Sequence, residues 1–132
     1  MSLLRRTLIH ALIYLAAIFA LGFVLGTIRT LWLAPAVGHL AAVALELPVM
    51  LGASWWLARQ LAARRPLPSR SAALAAGALA FALLMALELA LGVTLFGQGA
   101  GEWLAALATP PGALGLAGQA LFALRPALAW RR

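Results

Sequence analysis

A glutamate and a proline interrupt an apolar stretch, at Glu46 and Pro48 in the segment VALELPVMLGASWWLAR. The stretch has the length of a membrane span, and a charged side chain at the centre of a bilayer costs about 2.5–3.5 kcal/mol on insertion scales. Glu46 is therefore expected to face other helices and to be neutral or paired. Pro48 lacks an amide hydrogen, so it frees the carbonyl of Ala44 and bends the helix. A kink beside such a carboxyl serves either a transport site or a structural hydrogen bond.

The depth of each polar residue in its helix decides which partners Glu46 could have. A helix rises about 1.5 Å per residue, so depth can be counted from the predicted helix ends. On this count Gln119 lies at about the same depth in the membrane as Glu46. A Glu46–Gln119 hydrogen bond is therefore the first pairing that we predict. Arg29 falls at the outer surface, too far along the axis to reach Glu46. Together with Trp32 it is most simply an interfacial anchor.

Two further ionisable residues are predicted in the outer half of the membrane. His39 lies seven residues before Glu46 and shares its helix face, and Glu88 comes to a depth of about 12 Å, against about 9 Å for His39. With Arg29 they trace a polar track from the outer surface to the midplane. One interpretation is an entry path for a proton or solute. The other is a His39–Glu88 pair that holds two helices in register.

Most catalytic chemistry is excluded by the residue types that the sequence lacks. The chain has no cysteine and no aspartate, which rules out thiolate catalysis and a Ser-His-Asp set. His10 and His39 fall in opposite halves of the predicted membrane, so they cannot share a zinc ion or clamp one haem. We predict no catalytic residue, no metal site and no cofactor. An enzyme acting on lipids remains as a third hypothesis.

Composition assigns the chain to a lipid bilayer. Of its 132 residues, 65% are hydrophobic and 10% charged, whereas soluble domains have about 45–50% and about 25%. The net charge of +7 comes from ten arginines, nearly all at the ends of apolar runs. There they set orientation and contact anionic lipid head groups, so nucleic acid is not predicted as a partner.

Four apolar runs reach the roughly 20 residues that span a bilayer. They cover about 7–28, 33–57, 71–96 and 110–130, in a single membrane domain of residues 1–132. A cytoplasmic loop at 58–70 contains the proline-broken segment RRPLPSR. An outer loop and a short surface helix occupy 97–109. The fourth span is predicted to begin at Pro110, because Thr109 is a good N-cap and proline is tolerated in the first helical turn.

Arginines and tryptophans predict the same orientation. With both termini in the cytoplasm, Arg29 is the one arginine outside, and cytoplasmic loops carry the excess of basic residues. Tryptophan prefers the two interfaces, and the map places Trp32 and Trp103 at the outer one. Composition is also typical of a bacterial protein, so we predict a bacterial cytoplasmic membrane.

The predicted fold is all-α, a polytopic integral membrane protein with an antiparallel bundle of four transmembrane helices. Short links favour antiparallel neighbours. Small residues are expected to form the helix contacts, and they recur every four positions at Ala78, Ala82, Ala86 and Ala90 and again at Ala113 and Ala117.

The sequence supports two hypotheses for function. The first is a bundle without catalysis that works by helix association, as an accessory or assembly component of a membrane complex or as a homo-oligomer. The second is a small transporter or a proton- or ion-conducting oligomer that uses Glu46, His39 and Glu88. Both are compatible with a lipid-embedded chain, and the sequence favours the first, with the second as the alternative.

Overall fold

A computed structural model describes residues 2–95 and 97–130, and in these ranges the ordered elements are all helices. They are α1 Leu3–Ile28, a π-helical turn Arg29–Leu33, α2 Ala34–Val37, α3 His39–Arg64, α4 Arg70–Thr94, α5 Ala100–Leu107 and α6 Pro110–Ala129. Four helical stretches are long and apolar enough to cross a membrane: Leu3–Val37, His39–Arg64, Arg70–Thr94 and Pro110–Ala129. The all-helical class and the four membrane-length helices are thus as predicted. Phe96, Arg131 and Arg132, which the predicted spans and orientation include, lie outside the described residues.

The turn between the first two spans lies further along the chain than predicted. The helix continues through Arg29–Leu33 and α2 and stops only at Gly38, whose φ is 89°. Glycine adopts this left-handed region without steric cost and commonly ends helices. The π-helical turn precedes Pro35, which has no amide hydrogen to donate within the helix. The first helical stretch therefore runs to Val37 rather than to residue 28.

The long helices do not pack in the order of the chain. Helix α1 contacts α3 and α4, and α6 contacts the same two helices. Within the described residues, α3 and α4 make no close backbone contact although they are consecutive. The four therefore form a ring in the order α1, α3, α6, α4, and the link at 65–69 crosses the end of the bundle diagonally. A short link, which favours neighbouring helices, here connects opposite ones.

This diagonal link closes one end of the bundle. The guanidinium of Arg6 donates to the carbonyl of Pro66 at 2.6 Å, and Nε1 of Trp130 donates to the carbonyl of Leu67 at 3.0 Å. The Leu67 side chain is only 5% exposed. We call the link and the helix ends around it the loop end. It brings together the start of α1, the end of α3, the start of α4 and the residue after α6.

Small residues bring helices together near the loop end, but on a different face of α4 from the predicted one. A Cβ on Gly77 would lie 1.8 Å from the backbone oxygen of Ala123 in α6. The buried small residues of α4 are Ala72, Ala73, Ala76, Gly77, Ala80 and Gly92. The predicted rows are exposed instead: Ala78, Ala82, Ala86, Ala90, Ala113 and Ala117. Because alanines surround α4, their spacing alone does not select the buried face.

The middle of the bundle is filled by aromatic side chains from opposite helices. Tyr14 of α1 is fully buried, and its ring stacks on Phe122 of α6 with centroids 4.3 Å apart. Its hydroxyl donates to the carbonyl of Phe122 at 2.6 Å. Ser54 of α3 is buried as well. This layer separates the loop end from the other half of the bundle.

Candidate functional site

A cavity of about 440 Å³ lies beyond the Tyr14–Phe122 layer, between α1, α3, α4 and α6. Four of the polar residues singled out in the sequence line it: Arg29, Glu46, Glu88 and Gln119. Each comes from a different helical segment, so only the folded bundle assembles them. We call this space the central cavity. The cavity lies in the half of the bundle away from the loop end, because Phe122 and Ser54 line it on the side that faces the loop end.

Arg29 forms an ion pair with Glu46, contrary to the prediction from helix depth. A guanidinium nitrogen (Nη1) of Arg29 contacts Oε2 of Glu46, and the two side chains are 28% and 13% exposed. The turn at Gly38 explains the pair: Arg29 lies nine residues before it and Glu46 eight residues after it. Nearly equal spacing from a turn brings two residues to the same depth. Gly38 was the sequence signal for this arrangement, because glycine commonly ends a helix.

Gln119 pairs with Glu88 instead of with Glu46. Its Nε2 donates to Oε1 of Glu88 at 2.6 Å. Helix α6 packs on both α3 and α4, so either carboxyl was a partner that the sequence allowed. With Glu46 held by Arg29, the amide of Gln119 satisfies the second carboxyl. Each carboxyl thus has one partner of its own.

His39 and Pro48 do not line the central cavity. His39 is exposed at the first position of α3, and among the described residues no hydrogen bond or ion pair joins it to Glu88. Pro48 lies inside α3 on an exposed position. The predicted track that included His39 is therefore not assembled, and Pro48 lies within the continuous helix α3 and away from the cavity wall.

Acidic side chains outnumber basic ones on the wall of the central cavity. Arg29, Glu46 and Glu88 are the ionisable residues among its described lining residues. The guanidinium of Arg29 balances Glu46, whereas Glu88 receives a hydrogen bond from a neutral amide. With both carboxyls ionised the cavity has a net charge of one negative unit. In an apolar environment an unbalanced charge is costly, so a proton on one carboxyl or a bound cation would be needed to make the cavity neutral.

Apolar side chains form most of the remaining wall and leave it open at the side. Phe19, Met50 and Phe122 line the cavity together with leucines and glycines. Phe23 also lines it and is 54% exposed on the outside of α1. The cavity is therefore bordered by an exposed side chain of α1, which brings one edge of it near the outer surface of the bundle. Its size and its mixture of an apolar wall with a few polar groups are typical of small-molecule sites, which measure about 300–1,000 Å³.

The other ionisable residues that the structure describes are not gathered into a second cluster of this kind. Among the described residues, no group of three or more His, Cys, Asp or Glu side chains is placed to hold a metal ion. His10 is buried, and its Nδ1 bonds the carbonyl of Arg65 in the link at the loop end. Glu102 is exposed in the first turn of α5, where a carboxylate favours the positive end of the helix.

Comparison of the chain with protein-family models, with curated proteins and with solved structures finds no match. The assignment of function therefore depends on the central cavity and on the distribution of charge around it.

Proposed function

We propose that the protein is a small transporter or ion-conducting membrane protein that uses Glu46 and Glu88 in the central cavity. The observation that carries this proposal is the assembly of Arg29, Glu46, Glu88 and Gln119 around one cavity inside a bundle of membrane-length helices. Ionisable residues within membrane spans are rare, and they mark ion and substrate pathways. His39, which the sequence suggested for this pathway, has no part in the proposal because it is exposed outside the cavity.

Charge balance supports a cation or a proton as the transported species. Arg29 neutralises Glu46, so the carboxyl of Glu88 is the group that a mobile positive charge would compensate. The Tyr14–Phe122 layer closes the cavity toward the loop end. Passage across the membrane then requires this layer to separate, which makes alternating access the mechanism that fits a closed floor.

The test is proton or cation movement in liposomes that contain the purified protein. Under an imposed pH gradient and a potassium diffusion potential, the wild type should acidify the lumen faster than protein-free liposomes do. Glu88→Gln should reduce that rate by about tenfold or more, because an amide cannot exchange the proton. Glu102→Gln is the matched control, since it makes the same change on an exposed helix, and it should leave the rate unchanged.

We also propose that the spans are antiparallel in a bacterial cytoplasmic membrane, with both termini and the loop end in the cytoplasm and α5 at the outer surface. The support is the positive-inside tendency, because seven arginines flank the helix ends and the link at this end: Arg5, Arg6, Arg59, Arg64, Arg65, Arg70 and Arg125. A cysteine at Ala100 should react with an impermeant reagent in intact cells. One at Pro68 should react only after permeabilisation, and the reverse pattern would overturn the orientation.

Helix association, as an accessory component or a homo-oligomer, is the second candidate function. Its support is that Ala78, Ala82, Ala86 and Ala90 form an exposed row that the chain does not use internally. Small residues allow close approach of a further helix in lipid. Native mass spectrometry in mild detergent tests the accessory role, since a foreign subunit in fixed ratio favours it and a chain that copurifies with no other protein opposes it.

A further inference from the structure

The central cavity combines one unbalanced carboxyl with a wall that is largely apolar. We propose that it takes a monovalent organic cation with an apolar body, which enters from the lipid beside α1 and balances the charge of Glu88. The movement of this cation after binding rests on the proposed function, to which the inference adds the class of substrate. Three features carry it: the charge of the cavity, the nature of its wall and its lateral opening.

Charge selects a cation rather than an anion. The anion-binding group of the cavity is the guanidinium of Arg29; its charge is balanced by the carboxylate of Glu46, which Nη1 contacts, while Nε is buried without a hydrogen-bond partner in the described residues. The carboxyl of Glu88 has only the amide of Gln119 as a partner among the described residues. A ligand with one positive charge leaves the cavity neutral, whereas an anion would raise its net charge to two negative units. In an apolar environment the second arrangement is strongly disfavoured.

The wall selects an organic cation rather than a bare metal ion. Phe19, Phe23 and Phe122 line the cavity, and Met50 adds a flexible apolar side chain. One face of Phe122 is covered by Tyr14. Aromatic faces attract organic cations, and methionine adapts to irregular shapes. A metal ion would need several oxygen ligands in its first shell, but Glu46 is already held by Arg29.

The lateral opening fits a ligand that dissolves in lipid. Phe23 lines the cavity and is 54% exposed on the side of α1, a surface that faces lipid when the bundle is in a membrane. An amphipathic cation partitions into the bilayer and can reach this opening without crossing the loop end. The Tyr14–Phe122 layer then stops it at the floor of the cavity.

The probe experiment uses two ions of the same shape and opposite charge, tetraphenylphosphonium and tetraphenylborate. We expect the purified protein in detergent to bind the phosphonium and to bind the borate at least about tenfold more weakly, because only the cation balances Glu88. Glu88→Gln should lower phosphonium affinity by about tenfold or more, and Glu102→Gln should leave it unchanged. Equal binding of both ions, or tighter binding of the borate, would overturn the proposal.

A steric variant tests the location without changing charge. Gly115 lines the cavity, and a Cβ built on it meets no heavy atom within 4 Å. Gly115→Leu should therefore reduce phosphonium binding by filling the space. Gly52→Leu is the matched control, because Gly52 also has open space around its Cβ but is exposed and does not line the cavity. Unchanged binding in Gly115→Leu, with a normal melting temperature, would place the cation elsewhere and overturn the proposal.

Proton competition provides a readout that a structural role of Glu88 would not change. The groups that line the cavity with Glu88 are Arg29 from the π-helical turn, Glu46 from α3 and Gln119 from α6. A proton and the cation neutralise the same carboxyl, so phosphonium affinity should fall as the pH is lowered, and the fall should be absent in Glu88→Gln. A pH-independent affinity in the wild type would overturn the assignment to Glu88.

The outcomes separate this inference from the proposed function. If the phosphonium binds in a Glu88-dependent way but no flux is seen in liposomes, the proposed binding site is supported and the proposed transport function is contradicted. If proton flux depends on Glu88 but the phosphonium does not bind, the transport function is supported and the proposed class of substrate is contradicted. Phosphonium-driven proton flux in the wild type, lost in both Glu88→Gln and Gly115→Leu, supports both.

Discussion

Two glycines, Gly77 near the loop end and Gly115 in the cavity half, serve opposite purposes. At Gly77 the missing side chain lets α4 touch the backbone of α6, and a Cβ there would lie 1.8 Å from the oxygen of Ala123. At Gly115 the missing side chain leaves open space on the wall of the cavity. Close packing leaves no room at Gly77, whereas Gly115 keeps room for a guest. Gly118 on the same cavity wall is, however, in close contact with Leu47. The contrast shows that glycine content alone does not distinguish a helix contact from a cavity.

The largest effect is expected from adding a methyl group at the close contact. Gly77→Ala should lower the free energy of unfolding by about 4 kcal/mol, because two backbones must separate and no side chain can rotate away. Gly115→Ala should change it by less than about 1 kcal/mol, since its Cβ enters open space. Reversible unfolding in mixed micelles measures both. Similar costs at the two positions would contradict the contrast between a glycine at a helix contact and a glycine on a cavity wall.

The aromatic layer between the two halves should come next. Tyr14→Ala removes a fully buried ring that stacks on Phe122, and it should cost about 3 kcal/mol through the cavity that remains. Tyr14→Phe keeps the ring and loses the hydrogen bond to the carbonyl of Phe122, which should cost about 1 kcal/mol. The same unfolding assay applies. A cost for Tyr14→Phe as large as that for Tyr14→Ala would show that the hydroxyl, not the stacking, closes the floor.

The ion pair in the cavity half should have an intermediate effect. Arg29→Met leaves the carboxyl of Glu46 without its partner and should cost about 2 kcal/mol. The double variant Arg29→Met with Glu46→Met should recover most of that loss, since neither charge then remains unpaired. The four free energies of a double-mutant cycle give the coupling directly. Additive costs would mean that the two side chains act independently.

The smallest effect is expected at the edge of the loop end. Trp130→Phe removes the hydrogen bond to the carbonyl of Leu67 and weakens the contact with Arg70, whose guanidinium lies 5.7 Å from the indole centroid. The expected cost is about 1 kcal/mol. Trp32→Phe is the matched control, because Trp32 is 66% exposed. A larger effect at Trp32 would argue that interfacial anchoring outweighs closure of the loop end.

The sequence predicted the helical class and the number of membrane-length helices, because both follow from composition and from the length of apolar runs. It did not predict the pairs Arg29–Glu46 and Glu88–Gln119. Depth was counted from a turn before Leu33, whereas the helix stops at Gly38, and this shift moved Arg29 from the surface into the bundle.

Neighbour relations were the second feature that the sequence did not specify. Short links favour adjacent helices, but α3 and α4 are opposite each other in the described bundle. Nothing in the residues 65–69 distinguishes a link between neighbours from one that crosses the end. The buried position of Leu67 and the bonds to Pro66 and Leu67 from other helices become visible only in the folded protein.

The pairing of polar groups has a consequence for insertion and assembly. Arg29 and Glu46 belong to the first helical hairpin, which ends before the link at 65–69, and Glu88 and Gln119 belong to the second. The first hairpin can therefore enter the bilayer during synthesis with its two charges already paired, while in the second the carboxyl of Glu88 already has its hydrogen bond from Gln119, although no opposite charge. Docking of the two hairpins then creates the cavity as the last step of assembly.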